Sequence, residues 1–149
     1  MRTTHKLIEL TAGPPSVEFA CIDPARVWGV WPLVSHWIKA AMRRGDFGTF
    51  RRIEDDVLSG GALLWVFWDG TEISSAVVTQ IGIVESGKVC TIIACGGDKV
   101  LINLKQLSRI EGYARKEGCR AMRIVGRKCW ARALKEYKQT RVVLEKEFN

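Results

Sequence analysis

Gly96-Gly97 stands between a short apolar run and a helical pattern, and a turn of that kind can aim free backbone amides at an anion. Cys95 precedes the pair, and Arg127 and Lys128 fall at a second strand-to-helix turn, where they would add two cations. Backbone amides and guanidinium groups both donate to oxyanions, so phosphate, or a carboxylate on a partner, is the ligand these residue types suit. Asp98 works against that reading. It sits where an N-cap belongs, and its carboxylate can accept from the first-turn amides that an anion would need. Thiol chemistry is the other candidate. A cysteine nucleophile needs a base, and Cys21, Cys90, Cys95, Cys119 and Cys129 have only His5 and His36 to draw on. Zinc-type C-x-x-C spacing is absent, and the favoured reading is buried thiols acting as small hydrophobes.

The elements that must position these groups follow from periodicity. Residues 1–16 read as an extended arm closed by Gly13-Pro14-Pro15, and residues 17–149 as one domain. Val17 to Ile22 is a strand. Asp23-Pro24 opens a helix that Pro32 should break after Trp31, and a second piece runs from Leu33 to Arg43. Thr49 to Leu58 is a helix with Phe50, Ile53 and Val57 inward, stopped by Gly60-Gly61. Ala62 to Trp68 and Glu72 to Glu85 are strands joined by Asp69-Gly70, a two-residue type I′ signal, with a bulge or bend expected at Gly82. Val89 to Ala94 is a buried strand that ends at the glycine pair. Val100, Leu104, Leu107 and Ala114 mark the next helix, closed by Gly118. Ala121 to Val125, a helix through Trp130, Ala133, Leu134 and Tyr137, and a last strand from Thr140 to Phe148 complete the order β-α-α-β-β-β-α-β-α-β. The class is α/β (α+β), with a mixed, mostly antiparallel sheet flanked by helices.

The 149 residues suffice for one core, and no apolar run approaches the length of a membrane span. An odd cysteine count without a signal-peptide pattern predicts free thiols in a reducing compartment and no secretion. The net charge of +7 is uneven: residues 99–149 hold 14 Lys/Arg against 5 Asp/Glu, and residues 1–98 hold 9 against 11. Arg120, Arg123, Arg127, Lys128 and Arg132 are the densest group, suited to phosphates or to an acidic partner. The six tryptophans are read as core anchors or, where exposed, as a contact patch.

The element order and the second half of the chain resemble the GNAT fold of N-acetyltransferases. In that family a Q/R-x-x-G-x-G/A loop binds the pyrophosphate of acetyl-CoA. The matching segment here is Ile93-Ala94-Cys95-Gly96-Gly97-Asp98, with Ile93 for Gln/Arg and Asp98 for Gly/Ala. The family's N-x-x-A-x-x-L-Y helix is matched at Ala133 and Tyr137 and departs at Trp130 and Glu136. The resemblance implies that Tyr137 would protonate the departing CoA thiolate if the protein is active, and that Cys95, Gly96, Gly97, Arg127 and Lys128 would hold acetyl-CoA if it binds. The segment ACGGDK, with IEGYARKEGCRAMRIVGRKCW and RVVLEKEF, is similar to small GNAT-like proteins of tailed bacteriophages and prophages.

That resemblance implies a phage-encoded, virion-associated or protein-binding component with a degenerate CoA loop, needing no cofactor. Its partners would be virion or host proteins, and its place the virion or host cytoplasm. An active N-acetyltransferase using acetyl-CoA is the alternative. A basic nucleic-acid-binding module is the third reading.

Overall fold

The structure is a computed structural model that describes residues 18–44, 48–98, 107–125 and 134–149. The arm at residues 1–16 lies outside them. Strand β1, Glu18–Cys21, leads into a 3-10 turn, Pro24–Arg26, that Asp23 caps by accepting from the Ala25 amide at 2.9 Å. Helix α1 then runs unbroken over Val27–Arg43 with Pro32 inside it, which corrects the expected break. Proline removes the amide that would bond the Trp28 carbonyl. Both residues are on the exposed side, where water can take that bond, while Val27, Val30, Val34, Ile38 and Met42 hold the two halves against the sheet.

Helix α2, Phe50–Ser59, matches its expected span. Thr49 Oγ1 accepts from the Arg52 amide at 3.3 Å, and Gly60 ends the helix in the left-handed region at φ 89°. Strands β2 (Leu63–Trp68), β3 (Ile73–Val84) and β4 (Gly87–Gly97) form an antiparallel meander. The β2–β3 connection is not the two-residue turn expected from Asp69-Gly70. Pairing resumes at Trp68↔Ile73 after an irregularity at Phe67/Trp68, and the Asp69 carboxylate organises the longer loop by accepting from the Thr71 and Glu72 amides, each at 2.9 Å. Gly82 pairs regularly with Val89. The bulge lies instead on β4, where Val78↔Ala94 is followed by Thr79↔Ile92 and Ile93 is left over.

Helix α3, Leu107–Lys116, precedes β5, Ala121–Ile124, which pairs in parallel with β4 from Val89↔Ala121 to Ile92↔Ile124. The sheet order is β1-β2-β3-β4-β5. Alternation along the strands splits the core in two. Leu64, Val66, Ala76 and Val78 face α1 and α2, while Trp65, Phe67, Val77, Cys90 and Ile92 face α3 through Leu107, Ile110 and Ala114. Trp65 stacks on Phe19 at 5.6 Å and gives its indole proton to Thr79 Oγ1 at 3.0 Å, so its one polar atom is satisfied inside the core.

The expected sixth strand, Thr140 to Phe148, is absent among the described residues. The segment is unpaired and exposed, with Leu144 at 90% and Phe148 at 88%. Alternating apolar residues make a strand only where an edge receives them. Of the last expected helix, residues 126–133 lie outside the described residues. A single turn remains, closed by the Tyr137 amide on the Leu134 carbonyl at 3.0 Å. No helix among the described residues is long and apolar enough to cross a membrane.

Candidate functional site

The carboxyl end of β4 is where sequence placed a glycine turn, and the structure corrects that turn. Gly96 and Gly97 lie in the ladder, opposite Ala76 and Ser75, and the Asp98 amide extends it to the Ser74 carbonyl at 2.9 Å. Each glycine has a local cause. A Cβ on Gly96 would stand 2.9 Å from the Trp37 carbonyl oxygen and 3.0 Å from its Cβ, so α1 rests directly on this strand. Gly97 has φ 126°, and a Cβ there would lie within van der Waals overlap of the Ser74 and Ser75 backbone. The first part of the expected helix, from Val100, lies outside the described residues, and so do Arg127, Lys128 and Arg132.

Parallel pairing of β4 with β5 stops at Ile92↔Ile124, next to the Ile93 bulge. Beyond it β4 continues to Gly97 along β3. Because the Asp98 amide points to β3, strand alternation turns the Cys95 amide to the opposite side, the side β5 occupies lower down.

Tyr137 is half-buried and donates its hydroxyl proton to Glu111 Oε2 on α3 at 2.6 Å. Burial, and then the Glu111 carboxylate through this bond and its charge, push the phenol well above its usual value.

Cys90 is buried, and Cys21, Cys95 and Cys119 are half-buried. Burial raises Cys95 to about 12, and burial aided by neighbouring charge raises Cys90 and Cys21 to about 11. His36 is exposed on α1 and packs its ring against Trp37 at 4.8 Å. His5 and Cys129 lie outside the described residues. Of the tryptophans, Trp31, Trp65 and Trp68 are buried and Trp28 is exposed. Glu54 accepts the Trp31 indole proton at 2.8 Å.

A groove of about 790 Å³ runs between β5 and the tail that follows Tyr137. Arg115, Arg123, Lys138 and Arg141 border it, with Met122 and Ile124 as its apolar floor. Arg120, at the same groove, donates through Nε to Ser86 Oγ at 2.9 Å. Sequence reasoning missed Glu111 as the partner of Tyr137, because 26 residues separate them and only the fold brings them together. It also missed the Ile93 bulge, which sits in an unbroken apolar run.

The three-layer arrangement, with an antiparallel meander joined by a parallel last strand, is the fold of the GNAT acetyltransferases. Among solved structures the chain is similar to an aminoglycoside acetyltransferase from an uncultured soil metagenomic sample in complex with sisomicin, with TM-score 0.65, 9% identity, and coverage of 90% of this chain and 97% of that one. A predicted acetyltransferase of Clostridium acetobutylicum with acetyl-CoA gives TM-score 0.59 at 11% identity, covering 89% and 96%. A GNAT family acetyltransferase of Staphylococcus aureus gives TM-score 0.59 at 11%, covering 89% and 99%. No protein-family model and no curated protein matches the sequence.

Proposed function

We propose that this chain uses the GNAT frame to bind another macromolecule and not to transfer an acetyl group. The observation that carries this reading is the end of β4, where Gly96 makes room for Trp37 and the Asp98 amide is taken by the Ser74 carbonyl. A pyrophosphate cradle needs amides without protein partners, and a carboxylate such as Asp98 repels the anion. The residues described at this end therefore do not fit the pyrophosphate of acetyl-CoA. Tyr137 supports the same reading, since its proton is held by Glu111 and burial makes the phenol a weaker acid. The basic border of the groove suits an acidic protein surface. Resemblance to small phage GNAT-like proteins supports a virion or host protein as that partner, in the virion or the host cytoplasm. Isothermal titration with acetyl-CoA tests the reading: no saturable heat is expected, and micromolar binding would overturn it.

A second reading rests on the Ile93 bulge. Where β5 leaves β4, the Cys95 amide faces the vacated side, a position from which a backbone donor can polarise a thioester carbonyl. In that reading Cys95, Gly96, Gly97, Arg127 and Lys128 hold acetyl-CoA, and Tyr137 is the acid. It requires acetyl transfer to an amine. Nucleic-acid binding, the third reading, requires affinity that falls steeply with added salt.

A further inference from the structure

The acidic balance of the first half conceals a basic patch. Every Lys and Arg between residues 18 and 87 falls within residues 26–52: Arg26, Lys39, Arg43, Arg44, Arg51 and Arg52, with Asp46 the single carboxylate in that span. Helix α1 itself holds no Asp or Glu. Its outward residues follow helical spacing. Trp28, Pro32, His36, Lys39 and Arg43 recur at steps of four and three and are all exposed, while Val27, Val30, Val34, Ile38 and Met42 are buried on the other side. Trp28 is 66% exposed, the one exposed Trp, Tyr or Phe among the described residues before the tail. The basic end of the row meets α2. Lys39 Nζ lies 5.8 Å over the Phe50 ring, and Phe50 precedes the exposed Arg51.

The fold makes no use of this row. Among the described residues no carboxylate pairs with Lys39, Arg43 or Arg51. Two of the three acids of α2 are engaged elsewhere, Glu54 by the Trp31 indole at 2.8 Å and Asp56 by Gln80 Nε2 at 3.1 Å. Unpaired like charges repel, and an indole left in water forgoes its burial energy. We propose that the outer face of α1 binds single-stranded nucleic acid: Trp28 and His36 stack on unpaired bases while Lys39, Arg43 and Arg51 take backbone phosphates. The two rings stand about 12 Å apart along the axis, and Trp28 to Arg43 spans about 22 Å, the length of a few nucleotides. An acidic protein or a headgroup would answer the cations alone. Flat rings set in one row with cations suit a ligand that carries both π faces and anions, and a duplex keeps its base faces stacked. This surface lies on the α1 side of the sheet and the basic groove on the α3 side, so either can fail without the other.

Fluorescence anisotropy of a labelled oligothymidylate of about 12 nucleotides, titrated with the full chain at about 50 mM salt, tests the proposal. Saturable binding at micromolar protein is expected, with a duplex of equal length binding at least fivefold more weakly. Trp28→Ala should weaken binding at least fivefold, and Trp28→Phe should keep most of the affinity. Lys39→Gln with Arg43→Gln should weaken it at least tenfold and flatten the slope of log affinity against log salt by about 1.4, the share of two phosphates on a single strand. Arg123→Gln, at the groove, should leave it unchanged. These positions are exposed, and an unchanged urea midpoint confirms that each variant folds. No saturable binding, equal affinity for the duplex, affinity indifferent to the α1 substitutions, or a loss on Arg123→Gln as large as theirs would overturn the proposal. So would displacement of the oligonucleotide by polyglutamate at the same concentration of charge.

Discussion

Three glycines of one hairpin test whether the end of β4 is built for packing or for phosphate. At Gly82 an added methyl meets nothing within 4 Å, and alanine should be neutral or stabilise by roughly 0.5 kcal/mol by restricting the unfolded chain. At Gly96 the methyl would stand 2.9 Å from the Trp37 carbonyl oxygen. That obstacle is helix backbone, so α1 must shift as a unit, and overpacking of this sort costs about 1–3 kcal/mol. At Gly97 the methyl would overlap two residues of β3, in a conformation with φ 126°. The expected loss is roughly 3 kcal/mol or more. Urea unfolding followed by tryptophan fluorescence reads this series. With a slope of about 2 kcal/mol per molar, Gly96→Ala should lower the midpoint by about 1 M and Gly97→Ala by more. A cradle for phosphate predicts the reverse: alanine variants that unfold with the wild type and lose only acetyl-CoA binding. Equal midpoints for all three variants would refute the packing argument.

Two further outcomes follow from single groups. Tyr137→Phe should destabilise by about 1 kcal/mol, through loss of its bond to Glu111, and should leave α1 and the meander untouched; a stability equal to wild type in the same urea assay would contradict that. Alkali should unfold the protein early. Cys21, Cys90 and Cys95 have folded values of about 11, 11 and 12 against an ordinary 9, so the unfolded chain loses these protons first. Stability is intact below pH 9 and falls as pH rises through 9 to 12, by an amount on the order of a few kcal/mol. A flat urea midpoint between pH 8 and 11 would count against buried, proton-holding thiols.

Local patterns in the sequence were legible where a side chain acts on its own neighbours. Asp23, Thr49 and Gly60 punctuate the helices as their types require, and the faces of β2 and β3 follow from alternation. The misreadings came from tertiary contacts that override local preference. Proline breaks a helix in isolation, yet Pro32 is carried by a buried row on either side of it. Glycine pairs usually turn a chain, yet Gly96 answers to Trp37, 59 residues earlier in sequence and in contact only after folding. The tail carries strand periodicity, and periodicity says nothing about whether an edge is near enough to pair. At the candidate site the residue types were visible, but Glu111 beside Tyr137 depends on how the tail meets α3, and the displaced bulge on how β3 and β4 pair.

The order of strands across the sheet is also their order along the chain, and that has a kinetic side. Strands β3 and β4 meet across a turn at Glu85-Ser86, and β2 joins them over a short loop, so these ladders close with little loss of chain entropy. Strand β1 must wait for both N-terminal helices, and β5 for the crossover through α3. The meander is then the seed onto which both ends condense, and the edge strands β1 and β5 are captured after it. Pulse-labelled amide exchange that found β5 protected before β3 would reverse that order. A strand that arrives late leaves its neighbour waiting with an open edge, and during that interval a newly made chain is most exposed to capture by the wrong strand.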